Sequence, residues 1–340
     1  MAVGDALGLP YEGLSAKRGA RLFGEPDRYR FFFGRGMISD DTEHACLTAQ
    51  ALIASAGDPE AFLKQLGKRI RWWFAGVSAG LGKATLKSSV RLWLGVSPHK
   101  SGVNSAGNGG IMRTVILGAA FPSDRKQLAQ LVQFSTRATH RNAKAELGSW
   151  IIALAAAESA AENTLTTERF REVLAESVDW RGDTKFQQLV EAALASVDRG
   201  EETTQFAKEQ FGGRRVSGYI LQTTPVVIHA WLRYGADFAT ALKETIRCGG
   251  DTDTIASVVG GLIAARHGRA SIPEEWLAGI CEWPRTIDWI DRLGDQLQRV
   301  LQTGQPEKPL RLPWWGLVPR NLFFLSWVLV HAIRRALPPY

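Results

Sequence analysis

The segment CGGDTDTIAS, residues 248–257, places two aspartates two positions apart, immediately ahead of the apolar, small-residue run VVGGLIAA. Asp and Thr side chains cap the free N–H groups of a first helical turn, and their charge suits the positive end of the helix dipole. One cap accounts for Asp251 or Asp253, but not for both together with Thr254. Carboxylate and hydroxyl oxygens are also ligands of hard cations such as Mg²⁺, Mn²⁺ and Ca²⁺. Capping and cation binding both stay open for this segment taken alone.

A second acidic cluster precedes another apolar helix pattern, MISDDTEHACLTAQALIAS at residues 37–55. It carries Ser39, Asp40, Asp41 and Thr42 at the predicted start of the helix. Adjacent aspartates repel each other unless a cation or a hydrogen-bond network compensates for the repulsion. Two such clusters are best explained if they face one another across a shared di-cation site.

Composition is that of an ordinary globular protein, with 340 residues, of which 45% are hydrophobic and 22% charged. The length allows one large domain or two small ones. The only stretch that predicts a boundary is rich in Pro and Trp, from Lys308 to Pro319. We therefore predict a body at residues 1–305, followed at residues 306–340 by a linker and an apolar, basic C-terminal helix. The formal charge of +7 is scattered along the chain, and no basic cluster is dense enough to indicate nucleic-acid binding.

Three cysteines, Cys46, Cys248 and Cys281, have neither CxxC spacing nor an even number. A zinc site and a disulfide framework are therefore not expected. Met1 is followed by no basic start or apolar core segment of the kind that marks a signal peptide. We expect a reducing, cytoplasmic location, with a peripheral position at a membrane as an alternative.

Helical periodicity dominates the rest of the chain. Runs such as KFQQLVEAALASVDR, residues 185–199, and DFATALKETIRC, residues 237–248, repeat apolar residues at three- and four-residue spacing. Only short runs such as YRFFFG, residues 29–34, resemble strands. The pattern predicts an all-α fold.

Two glycine-rich stretches accompany the acidic clusters. SAGNGGIMRT, residues 105–114, leads into a helical pattern, so its backbone N–H groups can point at an anion with a helix N terminus behind them. A plain turn is the alternative for this stretch. VGDALGLPYEG, residues 3–13, contains a Gly-Leu-Pro break that ends a helix and places Glu12 on a loop. Glu12 is then either a functional group or a solvated surface acid.

The order of these motifs is distinctive. They are GDALGLPYE, SDDTE, GNGGIMR, the pair Thr139 and His140, SGYI, GGDTDTIA and IPEEW. Together they resemble the ADP-ribosylglycohydrolase family over about residues 1–300. The resemblance implies an orthogonal multi-helix bundle with a central cleft that holds two Mg²⁺ or Mn²⁺ ions. It also implies hydrolysis of the bond, glycosidic or ester, that joins ADP-ribose to an acceptor. In the family the first helix usually begins several residues before the GDALG motif, so a longer natural N terminus is an expectation.

The resemblance also assigns residues to roles. The implied metal ligands are Ser39, Asp40, Asp41, Asp251, Asp253 and Thr254. The implied catalytic carboxylates, which stabilise an oxocarbenium-like state or assist proton transfer, are Glu12, Asp40, Asp41 and Asp253. The implied ADP-ribose contacts are Asn108, Gly109, Gly110, Met112, His140 and Tyr219. For the last two, a packed histidine and a core tyrosine stay open.

The expected partner is an ADP-ribosylated protein or small molecule. Some members specialised for arginine-linked ADP-ribose carry an acid just ahead of the GNG loop, where this chain has Asn104, Ser105 and Ala106. Arginine, serine, O-acetyl and nucleic-acid linkages therefore all stay open. The alternative function is a non-catalytic ADP-ribose-binding or structural protein on the same scaffold. The six intact ligand positions argue against that alternative.

The tail from Lys308 to Tyr340 has five basic residues and no acidic one, and the resemblance does not explain it. Only 13 residues separate Arg320 from Arg334, fewer than the roughly 20 that a bilayer core requires, so we predict no transmembrane span. A docked helix, on the body or in a homo-oligomer, and a helix in a membrane interface are the two remaining interpretations. Apolar residues nearly all round the helix favour docking. On that basis, removal of the tail should leave the metal site intact.

Overall fold

The structure is a computed structural model that describes residues 1–78, 80–161 and 164–338. Within these ranges the α-helices are α1 (Ala2–Gly8), α2 (Ala16–Phe23), α3 (Asp40–Ser55), α4 (Pro59–Ala75), α5 (Lys83–Trp93), α6 (Pro98–Ser101), α7 (Ile111–Ala120), α8 (Arg125–Arg137), α9 (Ala143–Ala160), α10 (Thr167–Ser177), α11 (Thr184–Asp198), α12 (Thr203–Phe211), α13 (Ile220–Arg233), α14 (Phe238–Arg247), α15 (Thr252–His267), α16 (Glu274–Gly279), α17 (Ile287–Thr303) and α18 (Trp314–Ala336). Short 3₁₀ turns lie at Leu9–Tyr11 and Arg269–Ser271. The prediction of an all-α fold is confirmed, and the strand-like run YRFFFG forms an isolated bridge between Phe32 and Arg35.

Helix α15 lies at the centre of the bundle, and every residue from Thr252 to Ile263 is buried. The short helix α1 packs directly against its backbone. A Cβ at Gly4 would lie 2.1 Å from the carbonyl oxygen of Ala256, and a Cβ at Gly8 would lie 2.5 Å from that of Thr252. Close packing of α1 against α15 therefore requires the two glycines of the GDALG motif. The same packing brings the segment that ends at Glu12 to the start of α15.

The start of α3 is tied to the same helix pair by a single buried carboxylate. Asp5 of α1 accepts hydrogen bonds from the backbone N–H groups of Ser39, at 3.0 Å, and Thr42, at 3.1 Å. The hydroxyl of Thr42 donates to the same carboxylate at 2.5 Å. Sequence reasoning noted Asp5 without a role, whereas the structure makes it the link between two motifs that are more than thirty positions apart.

The C-terminal helix α18 is longer than the sequence predicted. It begins at Trp314 and continues through Pro319 in its second turn, although this proline removes a backbone N–H that would donate to the carbonyl four residues earlier. Its 23 residues make it long and apolar enough, by length and composition, to cross a membrane, so the length argument against a span is wrong. Length and composition do not establish a span either. One face of α18 is buried against the body through Gly316, Arg320, Asn321, Phe324 and His331.

Candidate active site

A cavity of about 450 Å³ opens where the N termini of α3 and α15 meet the first loop of the chain. The predicted site residues that line it are Glu12, Asp40, Asp41, Asn108, Gly109, Met112, His140, Asp251, Asp253 and Thr254. Folding therefore brings together segments from five separate motifs, spread over more than two hundred residues.

Two glycines set the approach of the chain to α15. Gly249 and Gly250 have φ values of 68° and 93°, which side-chain-bearing residues rarely adopt. A Cβ at Gly250 would lie 1.8 Å from the carbonyl oxygen of Val216. In this position the Gly250 carbonyl accepts from the backbone N–H of Gly13 at 2.6 Å. The GG pair thus holds Asp251 beside the loop that carries Glu12.

Capping explains only one of the two clusters. The hydroxyl of Ser39 caps α3 by accepting from the backbone N–H of Asp41 at 3.3 Å. Asp251 occupies the N-cap position of α15, but its side chain makes no capping hydrogen bond. It accepts instead from the Asn108 side-chain amide at 2.6 Å. Asp251 therefore faces the GNG loop and the cavity.

Asp41 and Thr254 connect the two acidic clusters directly. The Thr254 hydroxyl donates to Asp41 Oδ2 at 3.0 Å, and the Ser39 hydroxyl lies 3.4 Å from the same oxygen. The other carboxylate oxygen, Asp41 Oδ1, is buried with no hydrogen-bond partner. A buried carboxylate oxygen without a donor is costly unless it is protonated or binds a cation.

The pKa values of the acidic residues in the cleft also indicate an excess of negative charge. Burial, followed by the negative charge of neighbouring carboxylates, raises the pKa of Asp40, Asp41 and Asp253 well above the usual range. Burial raises the pKa of Asp5 to about 6 against its hydrogen bonds from Thr42 and Ser39. Burial and the Asp251 charge raise the pKa of Glu12 to about 7. Full ionisation of the cleft therefore requires compensating positive charge.

The side-chain oxygens of the site fit a hard divalent cation. They are carboxylates and hydroxyls, which are the ligands that Mg²⁺ and Mn²⁺ prefer, and Asp41 Oδ1 is free to coordinate. Within residues 1–78, 80–161 and 164–338, no three Asp, Glu, His or Cys groups are already close enough together to hold an ion. The fit therefore rests on donor chemistry and on the unpartnered oxygen.

Three predicted site residues lie outside the cavity wall. Ser39 lies behind Asp41 as the helix cap and is 2% exposed. Gly110 is a packing glycine, because a Cβ there would lie 2.6 Å from the Ser149 hydroxyl oxygen. Tyr219 precedes α13 and is 38% exposed, so it is not the core tyrosine of the alternative interpretation. These residues support the wall or flank it.

His140 lies in the cavity wall and is 3% exposed. Its Nδ1 pairs with the Thr139 hydroxyl at 2.9 Å. Burial, with a smaller contribution from the Arg113 charge, lowers the pKa of His140 to about 3. A neutral imidazole is therefore available to contact a ligand, although its burial also agrees with the packed-histidine interpretation.

Sequence reasoning missed a second glycine-rich loop in the wall. Gly80, Gly82, Lys83 and Thr85 line the cavity, and a Cβ at Gly80 would lie 3.1 Å from Asp40 Oδ1. The pattern GLGKAT at residues 80–85, which runs into the first turn of α5, was the signal that could have revealed it. Arg215, Ser217 and Gly218 also line the cavity. Lys83 and Arg215 bring positive charge to a cavity for which no lysine or arginine was predicted.

Two arginines of α18 contact backbone carbonyls in the segments that carry the site residues. Arg320 Nη2 donates to the Ile38 carbonyl at 2.6 Å, and Arg335 Nη2 donates to the carbonyls of Leu9 and Pro10 at 3.1 and 3.0 Å. Ile38 precedes the first acidic cluster, and Pro10 lies two residues before Glu12. The tail therefore supports the site, and its removal is no longer expected to leave the site unchanged.

Comparison with known proteins agrees with this geometry. Residues 1–307 match the family described as ADP-ribosylglycohydrolase, so the chain belongs to that family. Members of this family are enzymes that hydrolyse ADP-ribosyl linkages, and this chain is one of them.

Among individual relatives, an uncharacterized protein of Archaeoglobus fulgidus is 29% identical over 82% of this chain and 88% of its own length. ADP-ribosylhydrolase ARH3 of Homo sapiens is 24% identical, covering 78% of this chain and 79% of the relative. ADP-ribosyl-[dinitrogen reductase] glycohydrolase of Rhodospirillum rubrum is 25% identical, covering 82% and 86%. A solved structure titled ADP-ribosylglycohydrolase-related protein complex matches with a TM-score of 0.61 at 22% identity, over 89% of this chain and 95% of that one. The structural match supports the fold.

The raised pKa of Glu12 predicts a pH-dependent difference in stability. Because the pKa in the folded protein is about 7 and that in the unfolded chain is about 4.3, the stability associated with protonated Glu12 is complete below about pH 4 and is lost as the pH rises through about 7. In EDTA, a Glu12→Gln variant should therefore match wild type below about pH 4. It should become more stable than wild type by about 3 to 4 kcal/mol above pH 7, because each unit of pKa difference between the folded and unfolded states is worth about 1.4 kcal/mol.

Urea unfolding of both proteins across this pH range measures the difference, and contributions from buried histidines cancel because both proteins share them. A constant difference across the range would contradict the prediction.

Proposed function

We propose that this protein is a divalent-cation-dependent hydrolase that releases ADP-ribose from an acceptor in the cleft between α3 and α15. The observation that supports this most is the contact between Thr254 and Asp41, which joins the two acidic clusters while leaving Asp41 Oδ1 buried and unpartnered. The cation ligands in this proposal are Ser39, Asp40, Asp41, Asp251, Asp253 and Thr254. Bound Mg²⁺ or Mn²⁺ supplies the positive charge that such a carboxylate cluster lacks and polarises the oxygens around it.

Glu12 is the residue best suited to move a proton. In the cation-free cleft its pKa of about 7 leaves both protonation states populated near neutral pH, the range in which general acid–base catalysis works. It lies in the wall of the cleft, on a loop held against Gly250. As the anomeric bond breaks, positive charge develops on the ribose, and the ionised carboxylates of the cleft stabilise it.

The diphosphate is assigned to the GNG loop. Gly107, Asn108 and Gly109 line the cavity directly ahead of α7, so the positive end of that helix lies behind the loop. Lys83 and Arg215 add positive side chains to the same cavity. Binding energy from this remote part of the substrate then holds the ribose in position for hydrolysis.

The acceptor is the open part of the proposal. The positions ahead of the GNG loop, Asn104, Ser105 and Ala106, carry no acid, which argues against a site built to hold an arginine guanidinium. We therefore propose that the substrate is a protein or small molecule with a different linkage, and that serine-linked and O-acetyl ADP-ribose are the first to test.

The direct experiment is to incubate the protein with peptides carrying arginine- or serine-linked ADP-ribose, and with O-acetyl-ADP-ribose, and to measure free ADP-ribose. Release with Mg²⁺ or Mn²⁺ that stops in EDTA would support the proposal. Tight binding of ADP-ribose with no release from any substrate, with either ion present, would favour the non-catalytic alternative.

Glu12→Gln should lower kcat by about a hundredfold or more, the scale of general acid–base catalysis, and leave ADP-ribose affinity within a few fold. The reason is that Glu12 faces the reacting bond in this proposal, whereas the diphosphate is assigned to the GNG loop. Single-turnover kinetics and calorimetric titration with ADP-ribose measure the two quantities. Equal losses of affinity and rate would instead indicate that Glu12 maintains the shape of the cleft.

A further inference from the structure

The outward side of α18 is apolar, although the helix covers the body with its other side. We call this side the outer face and define it by Leu322, Phe323, Leu329, Val330 and Ile333, which are between 44% and 63% exposed. A surface helix of a globular protein normally turns its apolar side inward and its polar side to water. Exposed apolar patches of this kind mark sites of interaction.

Polar contacts on the inner side fix this inverted orientation. Asn321 donates to the Gly76 carbonyl at 2.8 Å, and His331 Nε2 lies 2.7 Å from the Phe31 carbonyl oxygen. Arg320 and Arg335 are also held on this side. Rotation of the helix to bury its outer face would break all of these contacts, so the exposure is built into the docking of α18.

Aromatic side chains extend the outer face at its side and at its N-terminal end. Phe33 is 83% exposed at the tip of the turn closed by Phe32 and Arg35, and its φ of 44° is uncommon for a residue with a side chain. Its ring centroid lies 5.3 Å from that of Trp327. At the start of α18, Trp314 and Trp315 are 77% and 61% exposed. Aromatic side chains are enriched at the headgroup level of bilayers.

Positive charge borders the outer face. The chain from Lys308 to Tyr340 has no acidic residue. Exposed Arg334 follows Ile333 of the outer face, and exposed Arg35 closes the turn that carries Phe33. Apolar and aromatic side chains bordered by basic ones are the composition of surfaces that bind anionic bilayers.

We propose that the outer face binds the surface of a bilayer that contains anionic lipids, with α18 lying in the plane of the membrane. This inference goes beyond the proposed hydrolase function and does not depend on it. The outer face and the Phe33 turn would enter the headgroup region, while Arg35 and Arg334 would contact lipid phosphates and carboxylates.

The buried ion pairs of α18 argue against a transmembrane position for the helix. Arg320 binds both carboxylate oxygens of Glu282 at 2.7 Å and lies 3.4 Å from Glu43. Insertion of α18 across a bilayer would remove Arg320 from these buried carboxylates and take its own charge into hydrocarbon. An interfacial position keeps every one of these contacts.

A second copy of the chain fits the same face less well. In a twofold contact between two outer faces, the residues that meet Arg334 would come from the same segment of the second copy. Because the chain from Lys308 to Tyr340 has no acidic residue, no carboxylate of that segment would offset its charge. An anionic bilayer supplies the missing negative charge.

Flotation of the full-length protein with vesicles tests the proposal. We expect binding to vesicles of phosphatidylcholine and phosphatidylserine, little binding to phosphatidylcholine alone, and weaker binding at high salt. A triple variant, Leu329→Ser, Val330→Ser and Ile333→Ser, should partition roughly a hundredfold less, because each change removes an apolar side chain from the membrane. The matched control is Leu94→Ser, because Leu94 is 78% exposed but lies outside the outer face.

Several outcomes would overturn the proposal. They are absence of wild-type binding to either vesicle, equal binding by the triple variant, and equal loss with Leu94→Ser. Resistance of the bound protein to alkaline carbonate extraction would indicate a transmembrane position instead. A dimer in sedimentation that the triple variant abolishes, without vesicle binding, would identify a second copy as the partner.

Discussion

Asp41→Asn is expected to lower turnover by about a thousandfold or more and to remove the response of the protein to Mg²⁺. Asp41 is 1% exposed, accepts from Thr254, and carries the only cluster oxygen identified as buried and unpartnered within the described ranges. Asparagine keeps the shape of the side chain but removes its negative charge. Loss of the cation from this position would forfeit several kcal/mol of charge stabilisation in the transition state.

The same substitution should stabilise the cation-free protein by about 1 kcal/mol, since it relieves repulsion from neighbouring carboxylates. Thermal unfolding in EDTA and in Mg²⁺, together with assays of ADP-ribose release, measures both effects. Asp288→Asn is the matched control, because the Asp288 side chain is 80% exposed on α17. Full activity and an unchanged response to Mg²⁺ in Asp41→Asn would refute the assignment of the metal site.

Arg320→Met should destabilise the protein by about 3 to 5 kcal/mol, the usual cost of removing one partner from a buried ion pair. The side chains of Arg320 and Glu282 are 4% and 1% exposed and share two hydrogen bonds of 2.7 Å. Without the guanidinium of Arg320, the buried carboxylates of Glu282 and Glu43 would lose a neighbouring positive charge. The Ile38 carbonyl, which Arg320 also contacts, would lose its donor immediately before the first acidic cluster.

Urea unfolding of wild type, Arg320→Met and Arg292→Met measures this effect. The control is suitable because the Arg292 side chain is 63% exposed and makes only a surface ion pair, so its loss should cost less than about 1 kcal/mol. Adding Glu282→Gln to Arg320→Met should restore part of the stability by neutralising the stranded carboxylate. Equal midpoints for the two arginine variants would show that α18 is not held by this ion pair.

The sequence predicted the local parts of the site well. The helices that follow Ser39 and Asp251 begin where apolar periodicity and capping residues indicated. These signals act within a few residues of the chain, so they can be read without the fold. The length of α18 was underestimated because only the 13 residues between Arg320 and Arg334 were counted, whereas the helix begins at Trp314 and continues through Pro319.

Long-range contacts escaped the same reasoning. The GLGKAT loop over Asp40 has an ordinary turn composition and gains its place only because the chain folds it across α3. The apolar pattern of α18 favoured burial on all sides, but the structure buries Arg320, Asn321 and His331 and exposes leucine, valine and isoleucine. Buried polar partners elsewhere in the chain decided which side faced inward, and no local pattern reports them.

By itself, the sequence determined the all-α class, the two acidic helix starts and the order of motifs, because capping, periodicity and backbone-restricted glycines are properties of short segments. Only the tertiary structure decided that Thr254 meets Asp41, that Asp251 faces Asn108 rather than capping its own helix, and that the tail supports the site through Arg320 and Arg335. Each of these contacts joins residues more than a hundred positions apart. Their geometry depends on how whole helices pack, as where Gly4 and Gly8 bring α1 against α15.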